Sequence, residues 1–491
     1  MKKRLLVITD SIKRKSGYAT VARAIIGKLL KTGKYQIAQL GLADSIEPLP
    51  LPIEHYTSIK VHNDCCKRGA LIEYTPISGP IQYIEMTPAA TPHADQKTCT
   101  KGVIDRGDNY GFGAAYFVIQ HFKPDIVLPI NDIWGLHNLV YTVNRNCYKL
   151  VPYLAIDSDC MFPKLSVPNA VGLPPIDTAT VLLGSDKTVL FTEWSHKVLK
   201  KTLDAMGVKK EPNIEIIPHG VHSSQWKPLN NKAELRAKYF GNIPKNAILI
   251  GTINRNQPRK RLDAVMQAVK TYKDRYEKNR PIYVYFHCAV EDEMGWPLPW
   301  LANYYGILDR CLFDMDLRPG NGPAVEQLNE IANCFDLHVL ISNSEGFGLT
   351  AIETMSAGIP NIVTSDGAMA DWTDKCAIVA KPAAFEHEPK TGFVKVLVDV
   401  NDVAKNIHLL TNSSLGEQNK MHKEYSILSR KLAERLDWDK IGEKWVTLLD
   451  NLDTSDLKPN RYDSIPAIVA TPENLRVAVL PDQKKLNIPN Y

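Results

Sequence analysis

Short apolar runs alternate with longer amphipathic stretches along the first half of the chain. Several runs have the length and aliphatic composition of buried strands, and the segments 18–31 and 111–122 repeat their apolar residues at helical spacing. The predicted strands are 4–9, 35–43, 125–130, 150–156 and 188–192. Strands that alternate with helices indicate a parallel sheet covered by helices.

The same pattern begins again in the second half. The predicted strands are 247–253, 282–288, 338–343 and 361–365, and the predicted helices are 261–273, 324–333 and 350–357. Between the two halves lies "IPHGVHSSQWKPLNN", which is rich in turn-forming residues and which we interpret as an interdomain linker. The sequence therefore predicts an α/β protein with two Rossmann-like, doubly wound parallel-sheet domains facing each other across a cleft. In such sheets, ligands bind beyond the carboxyl ends of the strands.

The composition is consistent with two globular domains and argues against one class of function. A chain of 491 residues is long for one core, and 44% hydrophobic with 23% charged residues is ordinary for a globular protein. The net charge of +5 does not favour a dedicated nucleic-acid binder.

The chain also lacks the patterns of exported proteins. No apolar run approaches the roughly 20 residues of a membrane span, and the run "LLVI" near the start is too short for a secretory signal. The nine cysteines contain no CxxC pair, unlike a disulfide or zinc framework. We therefore expect a cytoplasmic protein with reduced, mostly buried thiols.

The stretch "SNSEGFGLTAIETMSAGIP" is the first candidate for chemistry. It places Glu345 at a strand end, Gly346 and Gly348 in the following turn, and Glu353 about one turn into a helix. Glycines let a backbone approach a ligand closely, and the free N–H groups of a helix start suit a diphosphate. Two carboxylates nearby could accept hydrogen bonds from hydroxyl groups. An alternative is that Glu353 forms a capping box with Thr350 and only stabilises the helix start.

The segment "EGFGLTAIETMSAGIP", within the longer run 328–367, resembles the signature of retaining GT-B glycosyltransferases of family four. The resemblance implies a GT-B fold, in which Glu345 faces the donor sugar and Glu353 holds the nucleotide ribose. It also implies that the connecting loop binds the donor. The loop residues are Gly346, Phe347, Gly348, Leu349 and Thr350.

Further positions are similar to the same family. In "GTINRNQPRKRLDAV", Arg255 and Lys260 take the places of the family's diphosphate clamp, whereas Arg259 and Arg261 can be read as a solvated basic helix start. Gly17 matches a glycine loop near the donor phosphate.

The pattern of elements and the resemblance together divide the chain into four parts, of which the tail lies outside the resemblance. They are an acceptor-side Rossmann-like domain at 1–220, a nucleotide-sugar-binding Rossmann-like domain at 221–435, a helix at 436–452 that returns to the first domain, and a tail at 453–491.

One position departs from the family. Many relatives carry a histidine beyond the fourth strand of the first domain, where this chain has "YLAIDSDC". Asp157 or Asp159 is expected in that place, and we assign Asp157 to the catalytic group. Asp132 is a further polar candidate for the cleft, and loop capping is the alternative for each of the three.

These features predict a retaining, metal-independent glycosyltransferase that uses a nucleotide sugar as co-substrate and needs no other cofactor. The "DSD" and "DMD" triplets could be metal ligands, but the two cations and the helix start already serve a diphosphate. The alternatives are a GT-B nucleotide-sugar epimerase and a non-catalytic nucleotide-sugar-binding protein.

The acceptor is left open by the sequence. A glycan, a lipid, a protein and a modified nucleic acid all remain candidates. The basic segment 195–210 is either a peripheral membrane contact or, more simply, a solvated helix face.

Overall fold

The structure is a computed structural model that describes most of the chain. The described residues are 2–42, 50–59, 71–75, 82–85, 112–140, 145–159, 178–292, 294–318, 322–389, 392–412 and 416–463. Most of the predicted C-terminal tail, residues 464–491, lies outside these residues.

The first domain is built on a mainly parallel sheet with the order β10-β9-β8-β6-β1-β2-β3-β4-β5, and β7 also pairs with β6. The pairs β3–β4 and β4–β5 are antiparallel. The strands are β1 (Lys3–Asp10), β2 (Tyr35–Leu42), β3 (Glu54–Ile59), β4 (Leu71–Thr75), β5 (Gln82–Glu85), β6 (Ile126–Asp132), β7 (Lys149–Leu150), β8 (Tyr153–Ala155), β9 (Thr188–Leu190) and β10 (Ile214–Ile216).

Helices cover both faces of this sheet. They are Gly17–Lys31, Phe112–Phe122, His137–Val140, Thr178–Leu183 and Glu193–Ala205. The first begins where the side chain of Ser16 accepts a hydrogen bond from the Ala19 N–H, and it buries Ile25, Ile26 and Leu29. Its apolar stripe at helical spacing explains both the helix and the face that it turns toward the sheet.

The second domain has a wholly parallel sheet with the order β13-β12-β11-β14-β15-β16. Its strands are β11 (Ile248–Ile253), β12 (Ile282–His287), β13 (Cys311–Phe313), β14 (Leu337–Leu340), β15 (Asn361–Thr364) and β16 (Ile378–Ala380). Its helices, with the last one described separately below, are Lys232–Phe240, Leu262–Arg275, Leu298–Tyr304, Val325–Asn333, Leu349–Ser356, Ala368–Thr373, Val400–Thr411 and Gly416–Arg435. The predicted fold class of two Rossmann-like domains is confirmed.

Two predicted strands differ in extent. The run 150–156 divides into β7 and β8, because Pro152 between them has no N–H to donate to a neighbouring strand. The run 338–343 becomes β14, which ends at Leu340. Beyond that point the Asn343 N–H donates to the carbonyl of Arg259, so the chain leaves the sheet and forms a loop.

The last helix, Trp438–Asn451, lies against the first domain. The Lys3 side chain donates hydrogen bonds to the carbonyls of Leu449, Asp450 and Leu452 at 2.8, 3.0 and 3.1 Å. At Gly442 a Cβ atom would lie 2.6 Å from the Lys28 Cγ, so the helix approaches Gly17–Lys31 closely there.

The first residues of the linker between the domains are buried. Ile217, His219 and Val221 are all buried, and the Val221 N–H and carbonyl bond to Leu436 and Trp438. The linker and the start of the last helix are therefore held together at the point where the chain crosses between domains.

An antiparallel hairpin of β17 (Pro382–His387) and β18 (Val394–Val398) was not predicted. The Val394 N–H donates to the carbonyl of Asp159 in the first domain, and the Val396 N–H donates to the carbonyl of Asn343 in the second. The hairpin thus contacts both domains at the edge of the cleft.

Residues 195–205 of the basic segment 195–210 belong to the helix Glu193–Ala205. Val198, Leu199 and Leu203 are buried in the core of the first domain, and the lysines occupy the outer face. This arrangement agrees with the solvated-face interpretation. Among the described residues, no helix combines the length and apolarity needed to cross a membrane.

Candidate active site

The loop from Ser342 to Gly348 follows β14 and leads into the helix Leu349–Ser356. Gly348 has φ +85°, a backbone conformation that favours glycine, and it stands directly before the helix. No side chain caps this helix, so the N–H groups of Leu349 and Thr350 at its start remain suited to an anion.

The structure rejects the capping-box alternative for Glu353. The residue before the helix is Gly348, and Thr350 is already the second helical residue, so it cannot serve as the N-cap. The Glu353 side chain is partly buried, and within the described chain no cation or hydrogen-bond donor pairs with its carboxylate. Burial raises its pKa to about 8. Glu353 therefore has its acceptor oxygens available.

Glu345 is the most tightly held carboxylate of the site. Its side chain is buried, forms a short ion pair with Lys260, and accepts from the Arg259 guanidinium at 3.2 Å. Arg259 also donates to the carbonyl of Ser344 at 3.0 Å. Burial by itself raises the pKa of Glu345, but Lys260 and Arg259 outweigh it and lower the pKa to about 2. Glu345 is therefore ionised across the neutral range.

The two arginines near Lys260 have different surroundings. Arg259, which could be read as part of a solvated helix start, reaches into the site and binds Glu345. Arg255 is 59% exposed and pairs with Asp292 at 2.9 Å, so it does not contact Glu345. The turn Pro258–Lys260 explains the difference, because it ends at Arg261 in a left-handed conformation and orients its last two side chains toward β14. Arg261 pairs with Asp263.

The first domain places carboxylates near Lys260 and Arg259. Asp132 ends β6 and accepts from the Tyr18 hydroxyl at 2.8 Å. Burial, and then the charge of Asp157, raise the pKa of Asp132 to about 7, although Tyr18 and Arg259 oppose this. Burial also raises the pKa of Asp157, against the opposing effects of Lys395 and Arg259. Asp132 and Asp157 are therefore close enough to interact electrostatically with the cations of the second domain.

Two of the predicted glycines mark close contact between the domains. A Cβ atom at Gly17 would lie 3.3 Å from the Leu349 Cδ1, and one at Gly346 would lie 3.3 Å from the Ala155 Cβ. The predicted donor-side residues of both domains thus meet across the cleft.

The side chain of Phe347 is packed within the protein. Its ring is buried and stacks on Trp372 with centroids 4.5 Å apart, and the Trp372 indole donates to the Phe347 carbonyl at 2.7 Å. Its side chain therefore fixes the loop, and only its backbone N–H is left to approach a ligand.

One aspartate of each Asp-x-Asp triplet already contacts another group of the protein. Asp159 pairs with Lys201 at 2.9 Å, and Asp314 accepts from the Asp316 N–H at 3.0 Å. In the part of the chain that the structure describes, no group of three or more His, Cys, Asp or Glu side chains is arranged to hold a metal ion.

Sequence reasoning missed Tyr18, Arg259 as a site residue, and Lys395. Tyr18 follows Gly17 directly, and this proximity was the available signal for it. Lys395 lies on the unpredicted hairpin, where its amine donates to the Ser344 hydroxyl at 3.3 Å. Nothing in the pattern of the sequence indicated that this lysine would reach the site.

Comparisons with known proteins show similarity in part of the sequence and in the fold. No protein-family model matches the chain. A curated relative, D-inositol 3-phosphate glycosyltransferase of Streptomyces scabiei, is 29% identical over 160 residues, which is 32% of this chain and 34% of the relative. The chain thus spans about a third of the length of the curated relatives it matches.

Solved structures match over most of the chain. Sucrose-phosphate synthase from Thermosynechococcus elongatus has a TM-score of 0.59 at 14% identity, covering 91% of this chain and 98% of that one. Anabaena HepE in complex with UDP and glucose has a TM-score of 0.59 at 13% identity, covering 92% and 100%. These neighbours are GT-B glycosyltransferases, and the chain has the GT-B fold.

Proposed function

We propose that this protein is a retaining glycosyltransferase that transfers a sugar from a nucleotide sugar to an acceptor without a metal ion. The observation that carries the proposal is the buried Glu345 carboxylate, held ionised by Lys260 and Arg259 beside an uncapped helix start. A hydroxyl-rich sugar and a diphosphate are complementary to these two features.

The chemistry follows from the charges. Lys260, Arg259 and the start of Leu349–Ser356 provide positive potential, which stabilises the charge that grows on a leaving diphosphate. Glu345 remains ionised and accepts hydrogen bonds from the donor sugar. Glu353 offers its free carboxyl group to the ribose hydroxyls.

The transfer step balances without a further reactant. The acceptor hydroxyl oxygen forms a bond to the anomeric carbon while the bond from that carbon to the diphosphate oxygen breaks. The electron pair of the broken bond stays on the diphosphate. Because retention brings the acceptor to the face that the diphosphate leaves, the hydroxyl proton passes to the departing diphosphate.

A panel of nucleotides and nucleotide sugars tests donor binding by thermal shift. HepE is in complex with UDP and glucose, so uridine nucleotide sugars come first. A ligand at 100 times its Kd adds about 2.7 kcal/mol to the free energy of unfolding. Product analysis then separates the alternatives: an epimerase gives an epimer of the donor without acceptor, and a binding protein gives no product.

Lys260→Ala is the variant that tests the site. Because diphosphate charge is largest in the transition state, we expect turnover to fall ~10²–10³-fold. The stability loss should be smaller in comparison, since Glu345 keeps Arg259 as a partner. Lys270→Ala, which removes an exposed lysine paired with Asp274, is the matched control and should keep full turnover. Near-normal turnover in Lys260→Ala would place the diphosphate elsewhere.

A further inference from the structure

A cavity of about 540 Å³ lies between the two domains, beside Glu345. The first domain contributes Asp157, Ser158 and Trp194, and the second contributes the loops that follow β14 and β15. The hairpin closes one side with Phe385, Val394 and Val396. The volume is within the range of small-molecule sites.

The cavity is separate from the side of the site assigned to the nucleotide. It shares Asp157 and Glu345 with the predicted catalytic group, but Lys260, Arg255 and the helix Leu349–Ser356 do not line it. A molecule in this cavity would therefore meet the donor sugar at Glu345 without competing for the diphosphate site.

Several polar groups of the cavity wall have no partner. Ser158 is 1% exposed and Ser365 is 7% exposed, and neither hydroxyl makes a hydrogen bond within the described chain. The side-chain oxygen of Asn343 is also buried and unpaired. Unpaired buried polar groups are costly and uncommon, so their concentration here points to a ligand that pairs with them.

The charge of the wall is negative. Asp157, Asp159, Asp366 and Asp371 line the cavity, and no arginine or lysine of the described residues does. The cations that contact lining residues from behind the wall are engaged. Lys395 donates to the Ser344 hydroxyl, and Lys201 pairs with Asp159. Lys260 and Arg259 pair with Glu345. Carboxylates accept hydrogen bonds from hydroxyls, but they repel a phosphate.

The wall also has an apolar part. Trp194 and Phe385 line the cavity, and Phe385 is 55% exposed although it is a large aromatic residue. Aromatic rings can pack against the C–H faces of a sugar while hydroxyl groups at the ring edge reach polar partners.

We infer that this cavity binds the acceptor, and that the acceptor is an uncharged, hydroxyl-rich molecule such as a sugar unit rather than a phosphorylated one. The inference rests on the proposed glycosyltransferase function. It departs from the curated relative, whose name specifies D-inositol 3-phosphate. The acceptor hydroxyl then enters the balanced step described above from the cavity side of Glu345.

The acceptor class is tested by measuring transfer to glucose, mannose and myo-inositol, each compared with its monophosphate. We expect kcat/KM to favour the uncharged compound by about tenfold or more, because placing like charges together is unfavourable. Preference for the phosphates overturns the inference. Hydrolysis of the donor without transfer to any of the uncharged compounds also overturns the inference.

The location is tested with Ser365→Leu, which fills the cavity, and with Asp366→Asn. Asp366 has φ +51°, a conformation that Asn tolerates, so the second variant keeps the fold if the first does not. We expect the acceptor KM to rise about tenfold in Asp366→Asn, with donor hydrolysis and nucleotide binding unchanged. Asp374→Asn is the control, because Asp374 is also exposed with positive φ but lies outside the cavity.

The readouts separate the two proposals. An unchanged acceptor KM in both cavity variants places the acceptor elsewhere. A loss of donor hydrolysis as large as the loss of transfer to the acceptor does the same. If the wild-type protein neither binds nor cleaves any nucleotide sugar, the proposed function itself fails.

Discussion

At the scale of single residues, the carboxyl groups of the site differ in the charge they carry. Glu345 has two cations beside it and a pKa near 2, so it cannot supply a proton at neutral pH. Asp132 lies among other acids and has a pKa of about 7, so it can exchange a proton there. We infer that Glu345 serves as a fixed hydrogen-bond acceptor. Any acid–base function would belong to the first domain.

Glu353→Gln should increase stability at high pH while weakening donor binding. The unfolded chain releases this proton near pH 4, whereas the folded protein keeps it until about pH 8. Stability therefore falls as pH rises between those values, since the folded state binds more protons. Gln removes that loss, so the variant should gain stability on the wild type as pH rises from 5 to 8, by at most about 4 kcal/mol at about 1.4 kcal/mol per pH unit. Denaturant unfolding at several pH values measures it.

Donor binding provides the second half of this test. Glu353→Gln should bind the nucleotide sugar more weakly, because the amide nitrogen only donates hydrogen bonds and the ribose loses one acceptor oxygen. A variant that is no more stable at pH 8 and binds donor normally would show that Glu353 has neither the burial nor the function assigned to it.

The sequence predicted part of the site at this scale. Lys260 and Glu345 could be identified from motif spacing, and the structure brings them together. The contact between Arg259 and Glu345 could not be predicted, because it depends on the backbone of the turn Pro258–Lys260 and on the left-handed residue that ends it. Local dihedral angles of this kind are not encoded in residue spacing.

At the scale of elements, the start of the helix Leu349–Ser356 depends on one glycine. Gly348 combines φ +85° with close neighbours, since a Cβ atom there would lie 2.8 Å from the Met369 sulfur. A side chain at this position has to overcome both the backbone preference and the contact. The helix start that faces the donor is thus fixed by the absence of a side chain.

Gly348→Ala should lower the free energy of unfolding by about 2–4 kcal/mol, from the left-handed backbone and the overpacking together. Gly346→Ala is the comparison, because Gly346 has no positive φ and its Cβ would make a milder contact, tight but no closer than 3.3 Å. We expect it to cost about 1 kcal/mol or less. Chemical denaturation of both variants measures the difference, and equal stabilities would contradict this account of the turn.

Some strands could be predicted from the sequence and others could not, and the difference has a physical reason. Strands such as β1, β2 and β11 are buried along most of their length, and a continuous apolar run identifies them. The strand β17 is exposed at every position, so it carries no pattern of burial. The hairpin and the cavity wall that it forms therefore could not be predicted from periodicity.

At the scale of the whole molecule, the two domains bring opposite charges together. The second domain presents Lys260 and Arg259, and the first presents Asp132 and Asp157. The last helix and the first part of the linker hold the domains to each other on one side, and the hairpin contacts both at the cleft. Positive potential is thus concentrated where a diphosphate would bind, and negative potential where hydroxyl groups would.

This distribution of charge leads to a prediction about metal ions. A divalent ion would be needed if carboxylates alone faced the diphosphate, but Lys260, Arg259 and the helix start already supply positive charge there. Asp159 is paired with Lys201, and Asp314 caps its own turn, so neither triplet is free to act as a ligand pair. We expect full transfer activity after treatment with EDTA and repurification, measured with and without added Mg²⁺ or Mn²⁺. Activity that is lost on chelation and restored by either ion would instead place Asp157 and Asp159 at a metal centre.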